Sequence, residues 1–221
     1  MPHKLKSTAR RSRRNKKIGI VAGVALLAVL VVAAIYVFGQ SSPLVVQGKV
    51  LLEVTWVDET NATRNGNITI QLRDDKPITS GNFKNLVQQG KYDGTIFHRV
   101  MEGFMIQGGD PTGTGMGDPS IGTIRDEIGS NNSNIRRTIA MANTGQPNSA
   151  SSQFFINVVD NGDKVIDNAG TKFDSVYTVF GTVIEGMDVA DAISHVQVDD
   201  PSSQSPKPVH DVVIIKAEIL P

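Results

Sequence analysis

Eight short segments dominate the chain beyond residue 48 and leave it little choice of architecture. VLLEVTW (50–56), ITIQL (68–72), TIFHRV (95–100), FMIQ (104–107), RTIAMA (137–142), QFFINVV (153–159), YTVFGTV (177–183) and VVIIKAEI (212–219) are rich in β-branched and aromatic residues. Stretches with Gly, Asn, Asp and Pro separate them, as turns separate strands. Only two segments have helical spacing. In one, Phe83, Leu86 and Val87 share a face, with Thr79 or Ser80 placed to cap the start and Gly90 near the end. In the other, 187–196, Val189, Ala190, Ile193 and Val196 share a face and Asp188 lies in the first turn. Many short strands and few helices predict a mainly β domain: an eight-stranded antiparallel barrel, closed or nearly so, with a helix over each end.

What precedes this domain has a different character. Residues 1–17 carry eight Lys or Arg and no acidic residue, and the 21 residues 18–38, IGIVAGVALLAVLVVAAIYVF, carry no charge. As a helix of about 1.5 Å rise per residue, such a run spans roughly the 30 Å of a hydrocarbon core. A cleaved signal peptide is the competing reading, but its apolar core runs about 7–15 residues and ends in small residues, whereas this run ends in Tyr36-Val37-Phe38-Gly39. The expected organisation is a basic cytoplasmic tail (1–17), one transmembrane helix (18–38), a linker (39–48) and one domain (49–221). The basic flank predicts a single-pass protein of the cell membrane with the domain on the extracytoplasmic side.

Charge and composition exclude several functions. With eight of the 22 basic residues ahead of the span, 14 remain against all 22 acidic ones, a net charge of −8 that disfavours nucleic acid as a partner. The chain has no cysteine, so disulfides, thiolate metal sites and a cysteine nucleophile are ruled out. Histidines at 3, 98, 195 and 210 lack close ligand spacing, and neither a metal nor another cofactor is expected. GTGMG (113–117) is followed by DPS and not by a helix, which favours a turn over a phosphate loop; Asp110 reads as a turn-stabilising carboxylate. Met101 and Met141 read as core residues.

The stretch FHRVMEGFMIQGGD (97–110) holds the most specific signal. Its two apolar runs meet at the turn-like pair Glu102-Gly103, yet Arg99 interrupts the first. Side chains alternate across a strand, so Arg99 should share a face with Thr95 and Phe97 and lie opposite His98; Met105 should share one with Gln107, and Gln153 one with Phe155. If these faces converge, they form a shallow apolar floor bearing a cation and two amides, suited to a peptide. Together with MANTG (141–145), SSQFFI (151–156) and VFGTVIEGMD (179–188), in that order, this stretch resembles the successive signature segments of the cyclophilins, the peptidyl-prolyl cis-trans isomerases. The resemblance runs from about residue 50 to the C-terminus.

It implies an eight-stranded antiparallel barrel with two capping helices and a role for each matching residue. Arg99 would donate to the prolyl nitrogen or the adjacent carbonyl. Phe104, Met105 and Phe155 would line the proline pocket, with Phe173 completing its wall. Gln107 would orient Arg99 and touch the substrate carbonyl, Asn143 would meet the peptide through its backbone, and Ala142 and Gln153 would border the neighbouring groove. Where well-known cytosolic members have a tryptophan and, five residues on, a histidine, this chain has Lys172 and Tyr177; the tyrosine resembles prokaryotic members, and the missing tryptophan argues against tight cyclosporin binding. The expected partners are proline-containing polypeptides and, through the N-terminal helix, the membrane; the expected state is a monomer. Two functions follow: an isomerase assisting the folding of exported or membrane proteins, or a non-catalytic module that holds proline-containing segments near the membrane.

Overall fold

A computed structural model describes residues 48–221, and the expected tail, span and linker up to residue 47 lie outside the described residues. Eight strands form one antiparallel sheet: β1 (Lys49–Val57), β2 (Thr63–Leu72), β3 (Arg99–Met101), β4 (Met105–Gly108), β5 (Thr138–Met141), β6 (Phe154–Asn157), β7 (Val179–Glu185) and β8 (Val213–Leu220). Their order across the sheet is β3-β4-β6-β5-β7-β2-β1-β8. The two ends meet ahead of β3, where Ile96 bridges Val213 and the Phe97 N–H donates to the Val212 carbonyl at 2.9 Å. All eight strand segments read from the sequence are present. Among the described residues no helix is long and apolar enough to cross a membrane.

Alternation along the strands builds the interior. In β1, Val50, Leu52, Val54 and Trp56 are buried while the residues between them are not, and Ile68, Ile70 and Leu72 of β2 join the same cluster. Register shifts at Glu53/Val54, Thr69/Ile70 and Ile139/Ala140 bend the sheet. The first leaves Ile215 as the unpaired extra residue of β8, which accounts for its 49% exposure.

Helix α1 (Pro77–Gln88) lies against β7 and β8, and α2 (Met187–Ser194) against β2, β3 and β4. The Phe83 ring of α1 sits 5.0 Å from Tyr92, 5.4 Å from Phe154 and 5.0 Å from Phe180, so this helix is held by an aromatic core. Its N-terminus differs from the expectation. Thr79 and Ser80 lie inside the helix, Pro77 occupies the first turn, and no side chain of the helix caps it. The cap comes instead from Glu127, far along the chain, whose carboxylate accepts the N–H of Ile78 at 3.1 Å and the N–H and hydroxyl of Thr79, each at 2.8 Å. Before α2, Gly186 has φ +80°, and a Cβ there would collide with the Asn67 carbonyl, so only glycine fits.

The 110–117 turn forms around Asp110. This fully buried carboxylate accepts N–H bonds from Thr112 (2.9 Å), Gly115 (2.7 Å) and Gly117 (3.1 Å). Burial alone would raise its pKa, but these donors reverse the shift and hold it below the usual carboxylate range. His98 packs under the same turn against Gly115. Burial lowers the His98 pKa below its ordinary 6.5 and outweighs the attraction of Asp110.

Two outcomes follow. Glu127→Ala should lower stability by about 1–2 kcal/mol, the range of a lost helix cap, read from the denaturant midpoint at unchanged slope. Because burial sets the His98 pKa lower in the folded protein than its ordinary 6.5, the unfolded state binds more protons as pH falls through that value, and stability declines as pH falls. Denaturant midpoints between about pH 7 and 5 should therefore decline, and less steeply in His98→Gln, with the window set by the ordinary histidine value.

Candidate active site

Cross-strand pairing places the expected residues in one row. Arg99 of β3 lies opposite Gln107 of β4, Gln107 opposite Phe155 of β6, Phe155 opposite Ala140 of β5, and Ala140 opposite Val179 of β7. The row faces away from the interior: Met105, Ala140, Phe155, Phe173 and Val179 form a second apolar cluster, separate from the main core. Above it lies a cleft of about 460 Å³ bordered by Arg99, Phe104, Met105, Gln107, Ala142, Asn143, Phe155, Phe173 and Tyr177, together with Ile166, Gln204 and Ser205. Nine of the ten expected site residues border this cleft. The tenth, Gln153, lines an adjoining groove of about 290 Å³ that shares Gln107, Ala142 and Asn143 with it.

Arg99 reached this face by a route the parity argument did not foresee. Phe97 belongs to the interior cluster with Val100, so Arg99 does not share its face, and His98 lies under the 110–117 turn instead of directly opposite Arg99. The chain around 94–97 bonds to β8, with the Ile214 N–H donating to the Thr95 carbonyl, and pairing with β4 begins at Arg99. Strict alternation fails at that change of partner. Met101 corrects another expectation: it packs at the cleft cluster, not in the core, whereas Met141 is interior.

The floor is Met105 and Phe155, both almost fully buried. Phe173 meets Phe104 and Phe155 edge-on, each at 5.5 Å between ring centroids, and lies 4.5 Å from Tyr177. The result is an aromatic wall over an apolar floor. Lys164 stands over Phe104 with Nζ 4.5 Å from the ring centroid.

The polar side of the cleft is a connected chain. Arg99 donates from Nη1 to Gln107 Oε1 (3.2 Å), Gln107 Nε2 donates to Gln153 Oε1 (3.0 Å), and Gln153 Nε2 donates to the Gly115 carbonyl (3.0 Å). Gln107 thus orients Arg99, and the buried Asp110 turn anchors the far end. Arg99 also donates from Nε to the Gln204 carbonyl (2.8 Å) and from Nη2 to Met101 Sδ (3.2 Å). Each terminal nitrogen carries a second N–H beyond these bonds. Partial burial draws the guanidinium pKa below its usual value, with Tyr177 opposing, but arginine remains charged throughout the range in which proteins work. Burial likewise raises the Tyr177 phenol above 10.0, with Arg99 opposing, so its hydroxyl stays protonated.

The segment that brings Phe173 and Tyr177 over the floor is fastened by asparagines that the sequence reading did not identify. Asn132 Nδ2 donates to the carbonyls of Asp174 (2.6 Å) and Tyr177 (2.8 Å), and Asn134 Nδ2 to Asp174 Oδ1 (3.0 Å). Asn161 Nδ2 donates to the Phe104 carbonyl (2.8 Å) and to Asn157 Oδ1 (2.7 Å). Asn143 has its side chain committed to the fold, donating to the Val176 carbonyl (2.9 Å) and accepting from the Gly145 N–H (2.9 Å). Lys172 points to solvent and pairs with Asp163 at 2.7 Å, so the lysine contributes nothing to the wall. Gln204, Ser205 and Ile166 were also missed: a main-chain carbonyl has no sequence signature, and Ile166 lies on a turn-rich stretch without strand or helix periodicity. Among the described residues no group of three or more His, Cys, Asp or Glu side chains is placed to hold a metal ion.

Comparison with known proteins agrees with this geometry. A family model described as cyclophilin type peptidyl-prolyl cis-trans isomerase/CLD matches residues 57–219. Peptidyl-prolyl cis-trans isomerase A of Dickeya dadantii (strain 3937) is 42% identical over 159 residues, covering 72% of this chain and 82% of that one. Peptidyl-prolyl cis-trans isomerase cyp18 of Streptomyces antibioticus is 43% identical over 159 residues, covering 72% and 95%. Among solved structures, a Cryptosporidium parvum cyclophilin type peptidyl-prolyl cis-trans isomerase, crystallised in the presence of the dipeptide Ala-Pro, superposes with a TM-score of 0.59 at 29% identity, covering 76% of this chain and 99% of that one. With three quarters of its length matched and an arginine, an amide and an aromatic floor aligned across its sheet, the chain belongs to the cyclophilin-type peptidyl-prolyl cis-trans isomerases.

Proposed function

We propose that this isomerase turns X-Pro bonds in the cleft over the Arg99–Gln107–Phe155 row, with Arg99 as the group that tells the twisted amide from the planar one. An X-Pro bond rotates slowly because its C–N bond has partial double-bond character, with a barrier of about 18–20 kcal/mol. Twisting it localises the lone pair on the prolyl nitrogen, which then accepts a hydrogen bond that the planar amide cannot. A donor aimed at that nitrogen binds the transition state better than either ground state, and only such differential binding accelerates the step. The observation that carries the reading is the direct cross-strand neighbourhood of Arg99, Gln107 and Phe155, which puts a fixed cation beside an apolar ring site.

In this reading the proline ring rests on Met105 and Phe155 against Phe104 and Phe173. Gln107, already holding Nη1, presents its amide to the substrate carbonyl, and Tyr177 offers a protonated hydroxyl. Peptide residues on one side of the proline run into the groove bordered by Ala142, Asn143 and Gln153. No proton changes hands and no covalent bond forms. The intact cation argues against a module that only holds proline segments, since holding alone needs the apolar floor and not Arg99.

Residues 1–17 and 18–38 support a further part of the proposal: a single-pass anchor that keeps a monomeric domain at the outer face of a cell membrane, where it assists the folding of exported or membrane proteins. The support is the 21-residue uncharged run and the eight basic residues before it.

Arg99→Ala should reduce kcat/KM on an Ala-Pro-containing peptide by about 10²–10³-fold, the cost of removing one preorganised donor, while changing peptide Kd far less. NMR exchange spectroscopy measures both, and wild-type activity in the variant would end the mechanism. For the anchor, the full-length chain should stay with membranes through alkaline carbonate extraction, and protease added to intact cells should digest the domain. Release into the soluble fraction, or protection from protease, would overturn the topology.

A further inference from the structure

Residues 199–207 connect α2 to β8 and return to the cleft on the side opposite Gln107. Their base is clamped by the Val198–Pro208 bridge and by the Asp199 N–H donating to the Lys207 carbonyl at 2.9 Å. Inside the loop two carboxylates replace a regular ladder. Asp199 Oδ1 accepts the N–H of Asp200 at 2.7 Å and of Lys207 at 2.8 Å, and Asp200 Oδ1 accepts the N–H and hydroxyl of Ser202 at 2.9 and 2.6 Å. Pro201 and Pro206 restrict the backbone further.

Two main-chain carbonyls of this braced loop bind β3. That of Pro206 accepts the Val100 N–H at 3.0 Å, and that of Gln204 accepts Arg99 Nε at 2.8 Å. A guanidinium is planar, so one bond at Nε and a second at a terminal nitrogen set the orientation of the whole plane. Gln107 supplies the second. Without the first, the plane is held only by its longer bonds to Gln107 and to the weakly accepting Met101 sulfur, each 3.2 Å, and the donors facing the substrate are less firmly aimed.

We propose that the 199–207 loop is a positioning element for the Arg99 guanidinium, and that Asp199 and Asp200 influence the isomerisation rate through it. The inference rests on the reading of Arg99 given above. Neither carboxylate borders the cleft; each acts on the loop that carries the Gln204 carbonyl. The effect belongs to a main-chain atom, so the loop's shape matters more than the side chain at 204.

The test uses the full-length chain, an Ala-Pro-containing peptide and the Arg99 Nε–H resonance, identified by its loss in Arg99→Lys. Asp199→Ala should lower kcat/KM about tenfold, keep peptide Kd within about twofold, and speed exchange of the Arg99 Nε–H with water about tenfold, as loosened positioning predicts. Asp199→Asn keeps an Oδ1 acceptor and should restore both readouts to within about twofold of wild type. Should Asp199→Ala fail to fold, Asp200→Ala, at an exposed position, should move both readouts about threefold in the same direction. Wild-type kcat/KM in a folded loop variant would overturn the inference, and so would lowered kcat/KM with unchanged Nε–H exchange. A wild-type chain that does not accelerate isomerisation would instead overturn the proposed function, a result read before any substitution is made.

Discussion

The position of Arg99 is enforced from the other side of the sheet. Next to the outward row Arg99, Gln107, Phe155 and Ala140 runs an inward row, Val100, Ile106, Ile156 and Ile139, paired strand to strand in the same ladders and at most 1% exposed. A slip of one residue in any of these strands would exchange the rows. In β3 the exchange would drive the Arg99 guanidinium into the core, where an unpaired charge costs several kcal/mol, and in β5 and β6, whose outer face is also covered, it would set Ile139 and Ile156 in places shaped for their neighbours and spoil the packing on both faces. The hydrophobic core therefore fixes the register on which the cleft depends, without touching the cleft.

Both faces of the sheet are used between β4 and β7, and this shapes the sequence there. TIAM and FFIN are buried at every position, because one face fills the interior and the other lies beneath the segment bearing Phe173 and Tyr177. Such continuous runs are expected where a strand is covered on both sides. The covering segment contains little regular structure, so its backbone groups need partners of other kinds: Asn132 donates to the Asp174 and Tyr177 carbonyls and Asn134 to that of Tyr177, while Asn157 and Asn161 tie the Thr138 hydroxyl and the Phe104 carbonyl into the same network. A buried polar network this densely bonded, with only Asn161 Oδ1 left without a partner among its asparagine side chains, admits few alternative geometries. That is what an aromatic wall needs if it is to stand at a fixed distance from its floor.

This division explains which parts of the protein could be read from the sequence. The eight strands were legible because a period of two is a local pattern, and the cleft residues were legible because their segments resemble a family. The cap of α1 was not, since Glu127 lies about fifty positions from the helix it closes, and local capping residues Thr79 and Ser80 offered a plausible false answer. The face of Arg99 was reached by parity counted through Phe97, and that count fails where the chain changes pairing partner at His98. Met101 was taken for core because an isolated methionine carries no sign of which apolar cluster it joins. The Gln204 carbonyl and the asparagine brackets depend on long-range approach, to which composition and spacing are blind. Readings of residues 1–47 lie outside the described structure and rest on hydropathy and charge.

Electrostatics around the cleft fits a reaction that needs a steady charge and no proton transfer. His98 is pushed toward its neutral form and Tyr177 is kept protonated, in both cases chiefly by burial. His98 is lowered from 6.5 and Tyr177 raised from 10.0, so neither change of charge falls between pH 7 and 9, and under the proposed mechanism the field at the prolyl nitrogen would not vary with their titration there. A general acid or base would have to be poised near the working pH; a donor to a twisted amide only has to be present and aimed. Partial burial of the guanidinium weakens competition from water and would strengthen the bond proposed for it to the developing lone pair. The bonds to Gln107, Met101 and the Gln204 carbonyl compensate for that burial in the free protein, which leaves the cation oriented before any substrate arrives.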